Sequence, residues 1–388
     1  MTAVRESSAA AVSPFVLYLA FAGTGVACAL PGATLPAILA HWLLCDSGAG
    51  LLFLLTSAGS SCGALLCRGR ATHSLAYGAG LLSLASAALV LAGRTAGSSM
   101  GHVQALGCFL VYGLGLGITM TSVSLIRSER GCAQRGLEMN RLNLVWAIGA
   151  FTCPFLAAHA LRVSSITMLV GGLAIAFACL AVWALLVEIR LLPSAFRTAG
   201  AERNLPHVLP PVLMLITALA TGVESAAGGW LATYASRLHH SVAGTVTVAS
   251  AFWGGLLLSR AVSSTKLVHG IRELFRLRFG AALAACAAVL LFAGHSEAVI
   301  ATAAFLLGLG IGPVFPLLLA FVLPRFSGSR VFFFAGFGGA LLPWITGYVS
   351  GWRGSLRDGL LAPLMGSVVL ALAAAWLGHG FGVREAKE

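Results

Sequence analysis

Twelve carboxylates are spread over 388 residues, and eleven of them fall in loops, tails or at the ends of apolar runs. The twelfth, Glu224, lies well inside an apolar run of spanning length. An acid at that depth costs at least about 2.5 kcal/mol on insertion scales and usually faces a cavity or a partner. No lysine or arginine inside a run is available to pair with it. Thr217, Thr221, Glu224 and Gly228 recur at spacings of 4, 3 and 4, so one helical face presents them together. That face is expected to line a central cavity, where Glu224 accepts hydrogen bonds from solute hydroxyls or takes up a proton. The structural alternative is a protonated glutamate bonded to a neighbouring helix.

Other polar and aromatic residues share this placement. Asn140, Asn143 and Trp146 stand three apart on one face, and an amide in lipid is costly, so Asn143 is expected to point inward. Trp230, Trp253 and Trp344 lie away from the run ends where tryptophan anchors at bilayer interfaces. A flat ring with one N–H donor suits a sugar, whose C–H face stacks and whose rim hydroxyls bond, while plain packing is the alternative for each. Trp42, Trp352 and Trp376 read as interface belts. Gly312, Pro313 and Pro316 interrupt helical hydrogen bonding, which suits a gating bend or a simple kink. Arg68 and Arg260 occupy matching places at the inner ends of two runs and are expected to close a cytoplasmic gate through acids or helix C-termini.

The elements that must position these groups follow from composition. Hydrophobic residues make up 59% of the chain and charged residues only 9%, against about 25% charged in soluble domains, so the excess apolar surface faces lipid. Twelve runs of membrane-crossing length cover approximately 15–40, 48–67, 74–93, 103–126, 140–160, 164–188, 208–235, 242–260, 277–294, 298–323, 331–352 and 359–379. The expected fold is an all-α membrane protein of twelve transmembrane helices. It divides into an N-terminal six-helix bundle (1–190), a cytoplasmic linker (191–207) and a C-terminal six-helix bundle (208–388). The net charge of +12 is scattered rather than gathered into a nucleic-acid patch. With the N-terminus inside, 19 basic residues fall on inner segments and 5 on outer ones, which places both termini in the cytoplasm by the positive-inside rule. The first run is far longer than a signal-peptide core, and a multi-pass protein of the cell inner membrane is expected.

Nine cysteines without C-x-x-C spacing read as small core residues. Gly59-Ser-Ser-Cys-Gly63 matches the nucleophile-elbow string, but it sits in a membrane run with no buried histidine to serve as base. With no Walker loop, HExxH or dinucleotide fingerprint, no enzyme activity, cofactor or metal is expected.

The halves repeat one another. Gly113-Leu-Gly-Leu-Gly117 recurs as Gly308-Leu-Gly-Ile-Gly312, Gly63–Arg68 as Gly255–Arg260, Gly149–Pro154 as Gly339–Pro343, and Thr24-Gly-Val26 as Thr221-Gly-Val223. A six-plus-six parallel repeat is the plan of major facilitator transporters, with the solute site near mid-membrane between halves. The motifs Leu30-Pro-Gly-Ala-Thr-Leu-Pro36, Gly222-Val-Glu-Ser-Ala-Ala-Gly-Gly-Trp230, Gly308-Leu-Gly-Ile-Gly-Pro-Val-Phe-Pro316 and Phe334–Trp344 carry a more specific likeness. The sequence resembles the fucose permease and sodium-dependent-glucose-transporter-like branch of the major facilitator superfamily. The resemblance implies a secondary transporter, most simply a monomer, that moves a monosaccharide or similar polar solute by alternating access, with H+ or Na+ as coupling ion through Glu224. Thr24 and Phe315, which fall within the repeated or resembling motifs, join the expected solute-contacting set. Two departures stand against proton symport: the first and fourth spans lack the embedded carboxylates of fucose permease-like members, and Cys67-Arg-Gly-Arg70 lacks the acid of the inner-gate motif. An exporter of amphipathic compounds and a non-transporting membrane sensor are the rivals.

Overall fold

The computed structural model describes residues 13–67, 71–93, 98–130, 135–163, 166–187, 209–239, 241–265, 271–322 and 328–382. The described chain is helical: α1 (Pro14–Trp42), α2 (Asp46–Leu66), α3 (Ala71–Ala92), α4 (Ser99–Arg130), α5 (Arg135–Val163), α6 (Ile166–Leu186), α7 (Leu209–His239), α8 (Val242–Ser263), α9 (Glu273–Ala293), α10 (Glu297–Ile311), α11 (Val314–Val322), α12 (Gly328–Arg353), α13 (Leu356–Gly359) and α14 (Leu361–Gly382). α10 and α11 are two pieces of one crossing, broken at Gly312 and Pro313, and α13 leads into α14, so twelve crossings result. Among the described residues, eleven helices are long and apolar enough to span a membrane. The remaining crossing, α12, has 26 residues and carries six glycines, which dilute its hydropathy. The protein is a multi-pass membrane protein. The expected linker 191–207 lies outside the described residues.

Helix ends follow local chemistry. Pro14 opens α1, where a missing N–H costs nothing. Ser241 and Ser296 cap α8 and α10 by accepting from the Gly244 and Val299 amides.

Packing repeats with the sequence. α1 lies on α5, α2 and α3 on α4, and α3 on α6; correspondingly α7 lies on α12, α8 and α9 on α10, and α9 on α14. The two sets meet through α1 with α7, α2 with α12 and α5 with α8. Repeated glycines make the close approaches. A Cβ at Gly113 would strike the Thr56 carbonyl, and one at the matching Gly308 would strike that of Phe252.

One pairing read from the sequence is corrected by these contacts. Gly255 rests on the Phe305 carbonyl, and the residue in the same relation to α4 is Gly59, on Leu110, rather than Gly63. The repeat is offset by 196 here, not 192. Arg260 therefore corresponds to Ala64, not to Arg68, and sits a full turn deeper, about 6 Å along a helix. Arg68 itself lies outside the described residues.

Prolines explain several cross-helix hydrogen bonds. A proline inside a helix leaves the carbonyl four residues earlier without its amide. Pro31 frees Ala27, whose oxygen accepts from Tyr112 Oη at 2.7 Å. Pro343 frees Gly339, whose oxygen accepts from Ser57 Oγ of α2 at 3.1 Å. Pro316 frees Gly312, whose oxygen faces Arg260 Nε at 3.4 Å.

Two expectations about packing fail. Of the cysteines read as core residues, Cys153 is buried and Cys108 half-buried, whereas Cys28, Cys62, Cys179 and Cys286 are exposed; apart from Cys28, which is taken up below, a thiol is apolar enough to face lipid as readily as core. Trp42 is buried rather than belted at the interface, while Trp352 and Trp376 are exposed.

Candidate functional site

Glu224 stands half-way along α7 and is not alone. Arg260 of α8 donates through Nη2 to both carboxylate oxygens at 3.2 Å, with 14% of the Glu224 side chain and 6% of the Arg260 side chain exposed. The expectation that Glu224 lacks a cationic partner is thus overturned. The cause is the register of the repeat, which carries Arg260 from the rim into the bundle. The arginine touches an acid and the C-terminal end of α10, at the centre of the molecule rather than at a span end. Its guanidinium also lies 5.0 Å from the ring centroid of Trp146 on α5, a cation–π contact. α10 ends one residue before Gly312, so its carbonyl dipoles further favour a cation there.

Trp146 and Trp253 meet edge to face at 5.8 Å, one from each set of helices. The Trp253 ring lies against Gly228, one turn along α7 from Glu224; a Cβ at Gly228 would press 2.6 Å from that ring. Beyond the indoles, the same four helices, α1, α5, α7 and α8, enclose a crevice of about 280 Å³ whose lining includes Ala33, Pro154, Ala232, Ser236, Thr245 and Ala249. The layers therefore run from crevice to indole pair to ion pair.

α1 supplies Cys28. Gly25 and Gly32 pack on the backbones of α5 and α7, and Cys28, between them on the same helical face, looks into the seam rather than toward lipid. It lies within electrostatic reach of both Glu224 and Arg260.

The other expected residues divide. Asn143 lies a turn before Trp146 but donates to the Met139 carbonyl of its own helix at 3.0 Å. Thr24 is buried and bonded to the Phe21 carbonyl. Thr221 turns away from Glu224 and donates to the Ala335 carbonyl of α12 at 2.7 Å, so the threonine and glutamate stripe does not form one surface. Trp230 is fully buried, with its indole N–H on the Pro343 carbonyl at 2.9 Å and its ring against Phe53 of α2. It packs the α2, α7 and α12 seam and offers nothing to a solute in this conformation; its midspan position reflects packing. Trp344 is half-buried beside Tyr348 on that same seam. Phe315, Pro313 and Pro316 are half-buried at the α10 and α11 break.

Two polar clusters escaped the sequence reading. At the end of the bundle away from the N-terminus of α1, Asp46 of α2 accepts from Arg237 of α7, at 2.7 Å from Nη1 and also from Nη2. Ser350 of α12 donates to the same carboxylate. This contact joins the two sets of helices. At the opposite end Glu138 of α5 accepts from Tyr18 at 2.7 Å, from Arg127 of α4 and from Arg141 at 2.8 Å. Both acids sit at helix ends; the partners of Asp46 lie 191 and 304 positions away, and Tyr18 lies 120 from Glu138. The scarcity of basic residues on the outer segments was the one signal that could have marked Arg237.

No protein-family model and no curated protein matches the sequence. Solved structures do. The fucose:proton symporter FucP of E. coli superposes at a TM-score of 0.61 with 14% identity, over 93% of this chain and 97% of that one. A FucP structure in the outward conformation gives 0.62 at 16% identity, over 94% and 98%. The chain has the major facilitator fold. The human organic anion transporter MFSD10 shares it, with a TM-score of 0.65 at 14% identity over 93% and 98%. Within this fold, the two equivalent helix sets are its two six-helix bundles, and the Glu224–Arg260 pair lies on the seam between them.

Proposed function

We propose that the chain is a secondary transporter that carries a small polar solute, a monosaccharide or a similarly hydroxylated molecule, by rocking its two bundles about a central site. The observation that carries this reading is the Glu224–Arg260 pair at half-depth on the seam, roofed by Trp146 from one bundle and Trp253 from the other. Indole faces suit the C–H face of a sugar, and a carboxylate suits its hydroxyls. The fold shared with FucP, a fucose:proton symporter, supports the sugar and the proton. Glu224 is then the coupling group for H+, with Na+ as the other candidate ion.

The distribution of basic residues supports cytoplasmic termini in a cell inner membrane. The Asp46, Arg237 and Ser350 contact then closes the outer end of the seam. Gating at the inner end is assigned to the α10 and α11 break at Pro313 and Pro316, and to Arg68. A second reading, export of amphipathic compounds, draws support from an apolar cavity of about 500 Å³ inside the first bundle, lined by Leu30, Ile38, Trp42, Phe109 and Tyr112 among others.

The test is uptake and counterflow of a radiolabelled sugar panel in proteoliposomes, with and without imposed proton or sodium gradients. Exchange of at least one sugar is expected, and exchange of none defeats the sugar reading. Glu224→Gln is expected to abolish gradient-driven accumulation; accumulation with unchanged pH dependence would reduce Glu224 to a structural role.

A further inference from the structure

A neutral sugar can take hydrogen bonds from a guanidinium but leaves its charge unmatched. Arg260 is the unexplained half of the site, and its contacts are loose. Both oxygens of Glu224 are met by one nitrogen at 3.2 Å, and the Gly312 carbonyl lies 3.4 Å from Nε. Charge-assisted N–H to carboxylate bonds close to about 2.7–2.9 Å, and Arg237 approaches Asp46 at least that closely with two nitrogens. Arg260 therefore does not use its planar fork in the two-pronged manner that suits a carboxylate. A second group at the site is also unsatisfied. Trp146 is 6% exposed, and its buried Nε1 has no hydrogen-bond partner among the described residues. A buried donor left unpaired is a cost that an acceptor on a ligand removes.

Resting on the transport reading, we propose that the solute is a sugar acid and that Arg260 exchanges Glu224 for the carboxylate of the solute when it binds. One guanidinium matches a single negative charge, which favours a monocarboxylate over a doubly charged phosphate ester. The indoles of Trp146 and Trp253 take the ring face, and the Trp146 N–H takes a ring or hydroxyl oxygen. Displaced from Arg260, Glu224 becomes an unpaired carboxylate at half-depth and takes up a proton. Among the described residues, the titratable groups within its reach are Arg260 on α8 and Cys28 on α1. The cargo is then one anion with one proton, and the loaded site gains no net charge.

Counterflow of radiolabelled glucuronate and of radiolabelled glucose, at equal concentration in proteoliposomes of the unaltered protein, separates this proposal from the reading beneath it. Glucuronate is expected to exchange at least tenfold faster. Glucose exchange that glucuronate neither matches nor inhibits overturns the sugar-acid proposal and leaves transport standing. Exchange of no sugar or sugar acid overturns both. Arg260→Lys keeps the charge and removes the fork, and is expected to lower glucuronate exchange at least tenfold. The double variant Arg260→Gln with Glu224→Gln leaves no buried charge to unfold the bundle, and is expected to fold and to lose the preference for glucuronate. Glucuronate exchange at the unaltered rate in that folded double variant contradicts the proposal.

Discussion

Removing one member of the Glu224–Arg260 pair strands the other as a buried charge, which costs about 3–5 kcal/mol in comparable pairs. Arg260→Gln alone is therefore expected to lower the thermal midpoint of the detergent-solubilised protein strongly. The double neutral variant is expected to recover most of that loss, because neither charge then needs a partner. Glu224 was legible in the sequence because it is the lone carboxylate inside a span. Arg260 was visible only as a residue near a span end; its depth depends on which glycine of the first half matches Gly255, and a short glycine motif fits two registers one turn apart. Trp230 shows the opposite failure. Its position resembled that of Trp253, yet the proline at 343 and the α2 contact turned it into packing, and neither long-range partner can be read from local sequence.

Helices here are held together where prolines have opened them. Tyr112 on Ala27 and Ser57 on Gly339 each satisfy a carbonyl that a proline leaves without its amide. Tyr112→Phe keeps the ring and removes the donor, so it is expected to cost about 1 kcal/mol, read as a lower melting midpoint with an unchanged helical spectrum. Gly308→Val is expected to be far more severe, since the added side chain must push the α10 backbone off the Phe252 carbonyl of α8. The number of crossings, their order and the duplication were all readable, because hydropathy and glycine spacing are local. The split of α10 from α11 was marked by Gly312, Pro313 and Pro316. The capture of the Gly312 carbonyl by Arg260 was not, since it joins residues 52 positions apart.

For the molecule as a whole, the seam is latched at the end away from the termini. Asp46 joins α2 of the first bundle to Arg237 and Ser350 of the second, at a site where Arg237 is 45% exposed. Asp46 and Ser350 are buried while Arg237 reaches solvent, and a contact that joins the two bundles at one end is well placed to bias an equilibrium between two arrangements. Asp46→Asn is expected to shift the population toward an arrangement open at that end. Spin-label distances between the α2 and α12 ends would show a longer component. The latch escaped the sequence reading because its members lie 191 and 304 positions apart, and nothing local marks them as neighbours.

The same end offers the most direct test that rocking of the bundles moves solute. Ser47 of α2 faces Gly351 of α12, and a Cβ on Gly351 would lie 3.3 Å from that of Ser47, near the separation of about 3.5–4.5 Å that a disulfide spans. In a background where the native cysteines are replaced, Ser47→Cys with Gly351→Cys is expected to cross-link on mild oxidation. Counterflow of the transported sugar or sugar acid should then stop, and return when the bond is reduced. Cross-linked protein that exchanges solute as fast as the reduced form would contradict the account.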